Sequence, residues 1–442
     1  MAPLDLSTVK FTNKADKANS DNGIFNPAGS DVKTLQGADE IIGNNSINSG
    51  FGLEVIAEAG AKNAGAISAA DLSDKTNINI SGIDNKGSIS TNKGRDIVRG
   101  TATAKIAAVA QTVSEAIAYA DDLDTNAIAA TFANIDINAI ANGINNSGKI
   151  NTGKGNDSVD AENESSVAAV ATATADATAI VKGIAQAPMD ESLTAFAAAI
   201  AQSLANATII ATGLNNSGGE LFTAKGKDTI TATATSDSAT FAEASTSAFS
   251  AATPENQALA LAVAEAVAKS QDKAIAIDNS KGIIDTGEGA DTIRATANGA
   301  DKAIAIENTN GTIQTGKGSD TIQADATGLE SYGIFGGTIE TGDGADKVEA
   351  SSFGGGVNIN MGDGKDFVEG FGNATVNGGK GFDILSLGFL KIDDFNISLG
   401  ASNNNEVNFE RDGIIMSTQN FEQFNFGNGN TIFTYDELVA TV

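Results

Sequence analysis

The sequence predicts a mainly β chain: a parallel β-roll or β-helix solenoid that carries Ala-rich helical inserts and ends in a C-terminal β cap. Three observations predict it. A Gly-x-Asp turn followed by an aliphatic residue recurs nine times. An Asn-containing turn precedes most copies at a fixed distance. Stretches such as "AIAIEN" and "TIQADA" alternate with period two, as half-buried strands require.

The turn motif comes first. Its copies are "TLQGADEI" from Thr34, "TNKGRDIV" from Thr91, "TGKGNDSV" from Thr152, "TAKGKDTI" from Thr223 and "TGEGADTI" from Thr286. "TGKGSDTI" from Thr315, "TGDGADKV" from Thr341, "MGDGKDFV" from Met361 and "GGKGFDIL" from Gly378 complete the set. The aspartates are Asp39, Asp96, Asp157, Asp228, Asp291, Asp320, Asp346, Asp366 and Asp383. Recurrence of this kind signals a solenoid. Asn85, Asn146, Asn216, Asn279 and Asn308 each fall 11 or 12 residues before the motif Asp, so they form a structural ladder.

Equivalent residues of a solenoid stack about 4.8 Å apart. Carboxylates at that spacing repel by about 1 kcal/mol per neighbour even in water. Something must neutralise them. The chain has no Cys, His or Trp, which excludes disulfides, imidazole zinc sites and Ser-His-Asp chemistry. Any metal must be held by oxygen, and carbonyls plus a carboxylate repeated in register point to calcium. The expected ligand loops are Gly287, Gly289 and Asp291; Gly316, Gly318 and Asp320; Gly342, Gly344 and Asp346; Gly362, Gly364 and Asp366; Gly379, Gly381 and Asp383. Asp39, Asp96, Asp157 and Asp228 extend the row. A competing neutraliser is Lys93, Lys154, Lys225, Lys317 or Lys380, which precedes the second Gly in five copies.

These loops resemble the RTX repeat, GGxGxDxUx with U aliphatic, and "GGKGFDILSLG" at Gly378 matches it fully. Most other copies replace the first Gly by Thr, and the spacing of 17 or more residues exceeds the nine of tandem RTX repeats. The resemblance covers Gly282 to Asp383 most closely and Thr34 to Ile230 more loosely. It implies a parallel β-roll with calcium between successive turns.

Long inserts follow Asp96, Asp157 and Asp228. "TPENQALALAVAEAVAKSQ" has Thr253 as N-cap, Pro254 at the first helical position and Glu255 in the first turn, so a helix is expected. "PMDESLTAFAAAIAQSLA" from Pro188 and "TVSEAIAYADD" from Thr112 are expected to follow suit. Helices are about 10 Å across, twice the coil rise, so either the helices splay or each long unit contributes two coils, and the second is the expected arrangement.

After Asp383 the chain changes: 11 of its 20 Phe lie at or beyond Phe353. Segments such as "EVNFERDGIIMST" read as antiparallel β with a bulky core, a cap that a solenoid needs. "NFEQFNFGNGNTIFTYDEL" resembles the ends of RTX-type proteins exported by type I secretion, which use an uncleaved C-terminal signal. The first residues, "MAPLDLSTVKFTNKADKANS", lack the apolar h-region of a Sec-type signal. The chain divides into an N-terminal segment (1–30), a solenoid with three long Ala-rich inserts (31–280), a short-period RTX-like β-roll (281–385) and the C-terminal β cap with its export signal (386–442).

Net charge is −29, from 27 basic and 56 acidic residues, which disfavours nucleic acid and anionic lipid as partners. No stretch reads as a membrane span; the uncharged run Ser192 to Gly219 is too polar. The expected function is non-enzymatic: a secreted, calcium-stabilised surface protein that self-associates as a sheath, fibril or S-layer-like coat, or serves in adhesion, with cell-surface polysaccharide as a possible partner. The alternative is an extracellular polysaccharide-active enzyme or RTX-type toxin. Asp121/Asp122 and Asp393/Asp394 are its candidate acid pairs, though adjacent acids are usually solvated turns.

Overall fold

The computed structural model describes residues 2–62, 64–120, 124–181, 194–252, 257–400 and 405–441. It is a parallel β-solenoid. Two large sheets face each other, one with 21 strands and one with 12. The chain climbs one strand spacing per coil, and pairing between coils is parallel until the C-terminal cap.

The core of the narrow body is built from stacked aliphatic residues. The residue two places after each motif Asp forms one column: Ile41, Val98, Val159, Ile230, Ile293, Ile322, Val348, Val368 and Leu385. A second column runs through Ile89, Ile150, Leu221, Ile284, Ile313 and Ile339. All are fully buried. Each coil therefore repeats the same inward pattern whatever its length.

The Ala-rich inserts are strands rather than the expected helices. Outgoing strands are Glu40–Lys62, Ile97–Ala120, Ser158–Val181 and Thr229–Ala251. Returning strands are Ala66–Asn85, Thr125–Asn146, Thr194–Asn215 and Gln257–Asp278. The Thr112 segment lies inside an outgoing strand as far as Ala120. The predicted helix starts at Pro188 and at Thr253 to Glu255 lie outside the described residues. The expectation of two coils per long unit also fails: each long unit is a single, very wide coil. At about 3.3 Å per residue, a 23-residue strand spans roughly 75 Å. Four such coils make a broad two-sheet wing beside the narrow body.

The reason lies in what the alternate residues meet. Ala169, Ala171, Ala173, Ala175, Ala177 and Ala179 face inward and are buried against the opposing sheet. The sheets approach closely enough for the Ser203 hydroxyl to donate to the Ala171 carbonyl across the gap at 3.1 Å. Ser68 does the same to Ala57 at 2.7 Å. Ala, Ser and Thr fill most of this gap, with a few larger residues such as Ile106, Ile135, Ile137 and Val167 toward the body. Helix propensity favours Ala by less than about 1 kcal/mol per residue, and stacking on neighbours in register overrides it.

Wing and body meet at a waist. A Cβ on Gly100 would lie 2.2 Å from the Gly143 carbonyl oxygen, and one on Gly43 would lie 2.2 Å from that of Gly82. At these two coils the backbones nearly touch and Gly is required, while the next coils hold Ala161 and Ala232 at the same register.

The C-terminal end turns antiparallel. Val407–Arg411 pairs with both Asn396–Leu399 and Ile414–Gln419, and Gln423–Phe426 pairs with Thr431–Thr434. Phe409, Phe421, Phe424 and Phe426 are fully buried there and stack edge-on or tilted. Among the described residues the single α-helix is Tyr435–Val439, and no helix is long and apolar enough to cross a membrane.

The waist yields a stability prediction. Gly100→Ala should destabilise by about 1–3 kcal/mol in denaturant titration, the usual range for overpacking. Gly60→Ala, where an added Cβ meets nothing within 4 Å, should be nearly neutral. Equal effects at both positions would show that the sheets can part at the waist.

Candidate functional site

Each turn motif delivers its Asp into the interior of the body. All nine motif aspartates are buried, none more than 2% exposed. They are joined by one recurring bond. The backbone N–H of Asp39 donates to Oδ1 of Asp96 at 2.8 Å, and Asp96 donates to Asp157 at 2.9 Å. Asp157, Asp228, Asp291, Asp320, Asp346 and Asp366 continue the chain to Asp383 at 2.7–2.9 Å. The sequence intervals run from 71 down to 17 residues, yet every link has the same form.

Two ends of this column escaped the sequence reading. Below, Asp16 N–H donates to Oδ1 of Asp39. Above, Asp383 N–H donates to a Glu422 carboxylate oxygen at 2.8 Å. "TNKAD" from Thr12 is a shortened copy of "TNKGRD", which was the available signal for Asp16. Glu422 has no such signature.

The turn around each Asp is set by Gly. Gly287, Gly316, Gly342, Gly362 and Gly379 have φ between 90° and 104°, in the left-handed region. Asn92 and Ala224 hold the same position with φ of 65° and 69°. The second Gly is needed for closeness. A Cβ on Gly289, Gly318 or Gly344 would lie 1.3 Å from the carbonyl oxygen of the equivalent Gly one coil away, and on Gly364 or Gly381 1.5 Å. These carbonyls therefore sit between coils, beside the Asp column.

The residue that replaces the first Gly of the motif is a ladder of its own. Thr34 donates its hydroxyl to the Thr91 carbonyl at 2.9 Å, Thr91 to Thr152 at 2.8 Å, and Thr286 to Thr315 at 3.2 Å. Thr341 ends the series on the Met361 carbonyl. The Asn ladder is present as expected and begins one coil earlier. Asn26, Asn85, Asn146, Asn216, Asn279 and Asn308 pass Nδ2–H to Oδ1 at 2.7–2.8 Å, all fully buried or nearly so.

The loop lysines point the other way. Lys225 pairs with Glu288 at 2.7 Å, Lys317 with Asp343 at 3.4 Å and Lys380 with Asp363 at 3.0 Å, all at the surface. Among the described residues no ion pair joins a loop Lys to a column Asp. Such exposed pairs contribute about 1 kcal/mol at most. The lysines settle the outer loop charges and leave the column to itself.

No family model and no curated protein matches the chain.

The column has one unmet demand per coil. Oδ1 of every motif Asp accepts a backbone N–H, but Oδ2 is buried without any hydrogen-bond partner in all nine. Burial pushes eight of these carboxyls up; the N–H from the neighbouring coil and, for Asp96, Asp157, Asp228, Asp291, Asp320 and Asp346, the nearby motif Thr hydroxyl offset part of the effect. Asp157 and Asp320 rise to about 7, Asp228 and Asp366 to about 6, and Asp96, Asp291, Asp346 and Asp383 shift in the same direction. A proton or a hard cation satisfies such an oxygen. Each coil thus presents one free carboxylate oxygen, and the Gly carbonyls run beside the column near Oδ1. No group of three or more acidic side chains forms a self-contained cage among the described residues. Asp121 and Asp122 lie outside the described residues. Asp394 accepts the Lys391 N–H in a 3-10 turn that includes Asp393, the ordinary turn role.

The sign of the pH dependence follows. With the folded value raised above the unfolded one, the protonated column stabilises the fold fully below about pH 4. That stability is lost as pH rises through 6 to 7. In cation-free buffer the melting temperature should therefore fall from about pH 4 to about pH 8. Asp320→Asn, which cannot ionise, should melt above wild type near pH 8 and lose that advantage near pH 4. A wild-type melting temperature that climbs over this range would mean the column is charged and already compensated.

Proposed function

We propose that the chain is a calcium-stabilised, RTX-like structural protein of the extracellular space or cell surface, without catalytic activity. The observation that carries this reading is the column of nine buried carboxylates, each with one oxygen left without a donor. An acid stacked on every coil of a solenoid is unstable as a bare anion at neutral pH. A divalent cation would convert that liability into cohesion between coils, through the Oδ2 atoms of Asp291, Asp320, Asp346, Asp366 and Asp383, in a column flanked by Gly carbonyls. Asp39, Asp96, Asp157 and Asp228 extend the same row.

Calcium binding would then be part of the folding free energy. A chain exported through a type I pathway would stay loose at low cytosolic calcium and fold outside. The repeat body, the acidic surface and the Ala-rich wing support a scaffold that self-associates in a coat or fibre rather than a soluble enzyme.

Calcium titration tests this. Adding millimolar calcium to chelator-treated protein near pH 7.5 should increase the β signal in circular dichroism and raise the melting temperature. Asp320→Asn and Asp346→Asn together should blunt that rise. An unchanged spectrum and melting temperature would sink the calcium reading and leave protonation as the column's only neutraliser.

A further inference from the structure

The wide wing stops abruptly. The coil after it pairs only with Thr229–Ser236 on one sheet and with Lys273–Asp278 on the other. Residues 237–251 and 257–272 are thus two long strand edges with no strand above them. Their outward faces carry Phe241, Phe249, Leu259, Leu261 and Val263, each 44–56% exposed. Open edges of this length invite pairing with another chain, and proteins usually defend them with charge, inward-facing charge above all, Pro or bulges. The opposite edge of the wing is defended mid-strand: Asp74 alternates in phase with the inward residues Ala66, Ser68 and Ala70, and Gly50, Gly52 and Gly60 leave its neighbour in the facing sheet poor in side chains. On the upper edge the one inward charge is Asp272, beside the narrow coil, where it accepts from Ser238 and donates its N–H to Asp301; from there to the tip Ala258, Ala260, Ala262, Ala264, Ala266 and Ala268 occupy the inward places.

We infer that this upper edge is a dimer interface that pairs with the same edge of a second copy of the chain. A copy stacked in the same orientation is blocked, because the narrow coils continue upward from the same wide coil. A copy turned by a two-fold axis along the sheet normal is not: each narrow body then lies past the other's wing tip. The strands meet antiparallel, edge to like edge, in both sheets at once.

One register satisfies both sheets. An axis through Ser245 lies nine residues from Ser236, the last covered residue, and an axis through Ala264 lies nine residues from Lys273. In that register Phe241 faces the second copy's Phe249, and Leu261 faces the second copy's Val267. Cross-strand apolar and aromatic pairs of this kind stabilise antiparallel sheets. The two edges would add on the order of two dozen main-chain hydrogen bonds, by the alternating pattern of antiparallel strands. The inference rests on the self-association in the proposed function and specifies its surface.

The test uses the absence of Cys from the chain. In full-length Ser245→Cys, each new thiol meets its symmetry mate at the axis. Mild oxidation should convert most of the protein to a covalent dimer, while Ser49→Cys on the opposite edge stays monomeric on a denaturing gel. In sedimentation without oxidant, Phe241→Lys with Phe249→Lys should raise the dimer dissociation constant at least tenfold with an unchanged β spectrum. If S245C fails to cross-link while wild type still sediments as an oligomer, this edge is the wrong surface and self-association stands. If wild type is monomeric at its highest soluble concentration, with and without calcium, both ideas fall, and the calcium response in circular dichroism remains a separate question.

Discussion

One bond recurs at every level of this fold: the backbone N–H of a motif Asp donating to the carboxylate of the next. It fixes the phase of each coil relative to its neighbour, because donor and acceptor belong to the same residue type at the same place. It does so whether 71 or 17 residues intervene. The aliphatic columns, the Thr ladder and the Asn ladder keep their registers on that footing. The bond also has a cost. It holds an acid inside the body and satisfies only one of its two oxygens, which ties the fold to protons or cations.

The chain separates its charges accordingly. Column carboxylates are inside, and the loop Lys, Glu and Asp side chains pair at the surface along the coil edges, as Lys225 does with Glu288. Elsewhere on the outer faces Arg99 pairs with Asp160 and Lys105 with Glu164, each one coil apart. Such pairs favour correct register more than they add stability. The wing relies on a different principle. Its Ala rows gain little per side chain but lie close together over very long strands, so the total comes from length and from main-chain pairing.

Much of the body was legible in the sequence. The Asp and Asn intervals, the aliphatic residue after each Asp and the Phe-rich end all have fixed local signatures, and the structure places them in ladders, columns and an antiparallel cap. The wing was misread for a physical reason. In "ALALAVAEAVAK" Ala occupies every second place, which suits a strand, yet Ala also favours helices most, and Thr253 and Pro254 read in sequence as a helix start. What decides between them is the presence of near-identical strands stacked on either side, which a local reading does not weigh. Glu422 was missed because it caps the Asp column from a segment without the turn motif. The Thr ladder was visible as a substitution for Gly but its hydroxyl-to-carbonyl bonds exist only once coils stack.

The taper from wide coils to narrow ones grades the cost of closing each coil. Loop closure costs grow as the logarithm of loop length, so closing the 71-residue coil costs about 1 kcal/mol more than closing the 17-residue coil. The cheapest coils lie next to the Phe cluster, where bulky side chains meet over a short stretch of chain. A nucleus at that end offers each preceding coil a finished edge, with a carboxylate waiting for its N–H. By that difference alone the short coils near the Phe cluster are the cheapest to close and the wide wing coils the most expensive.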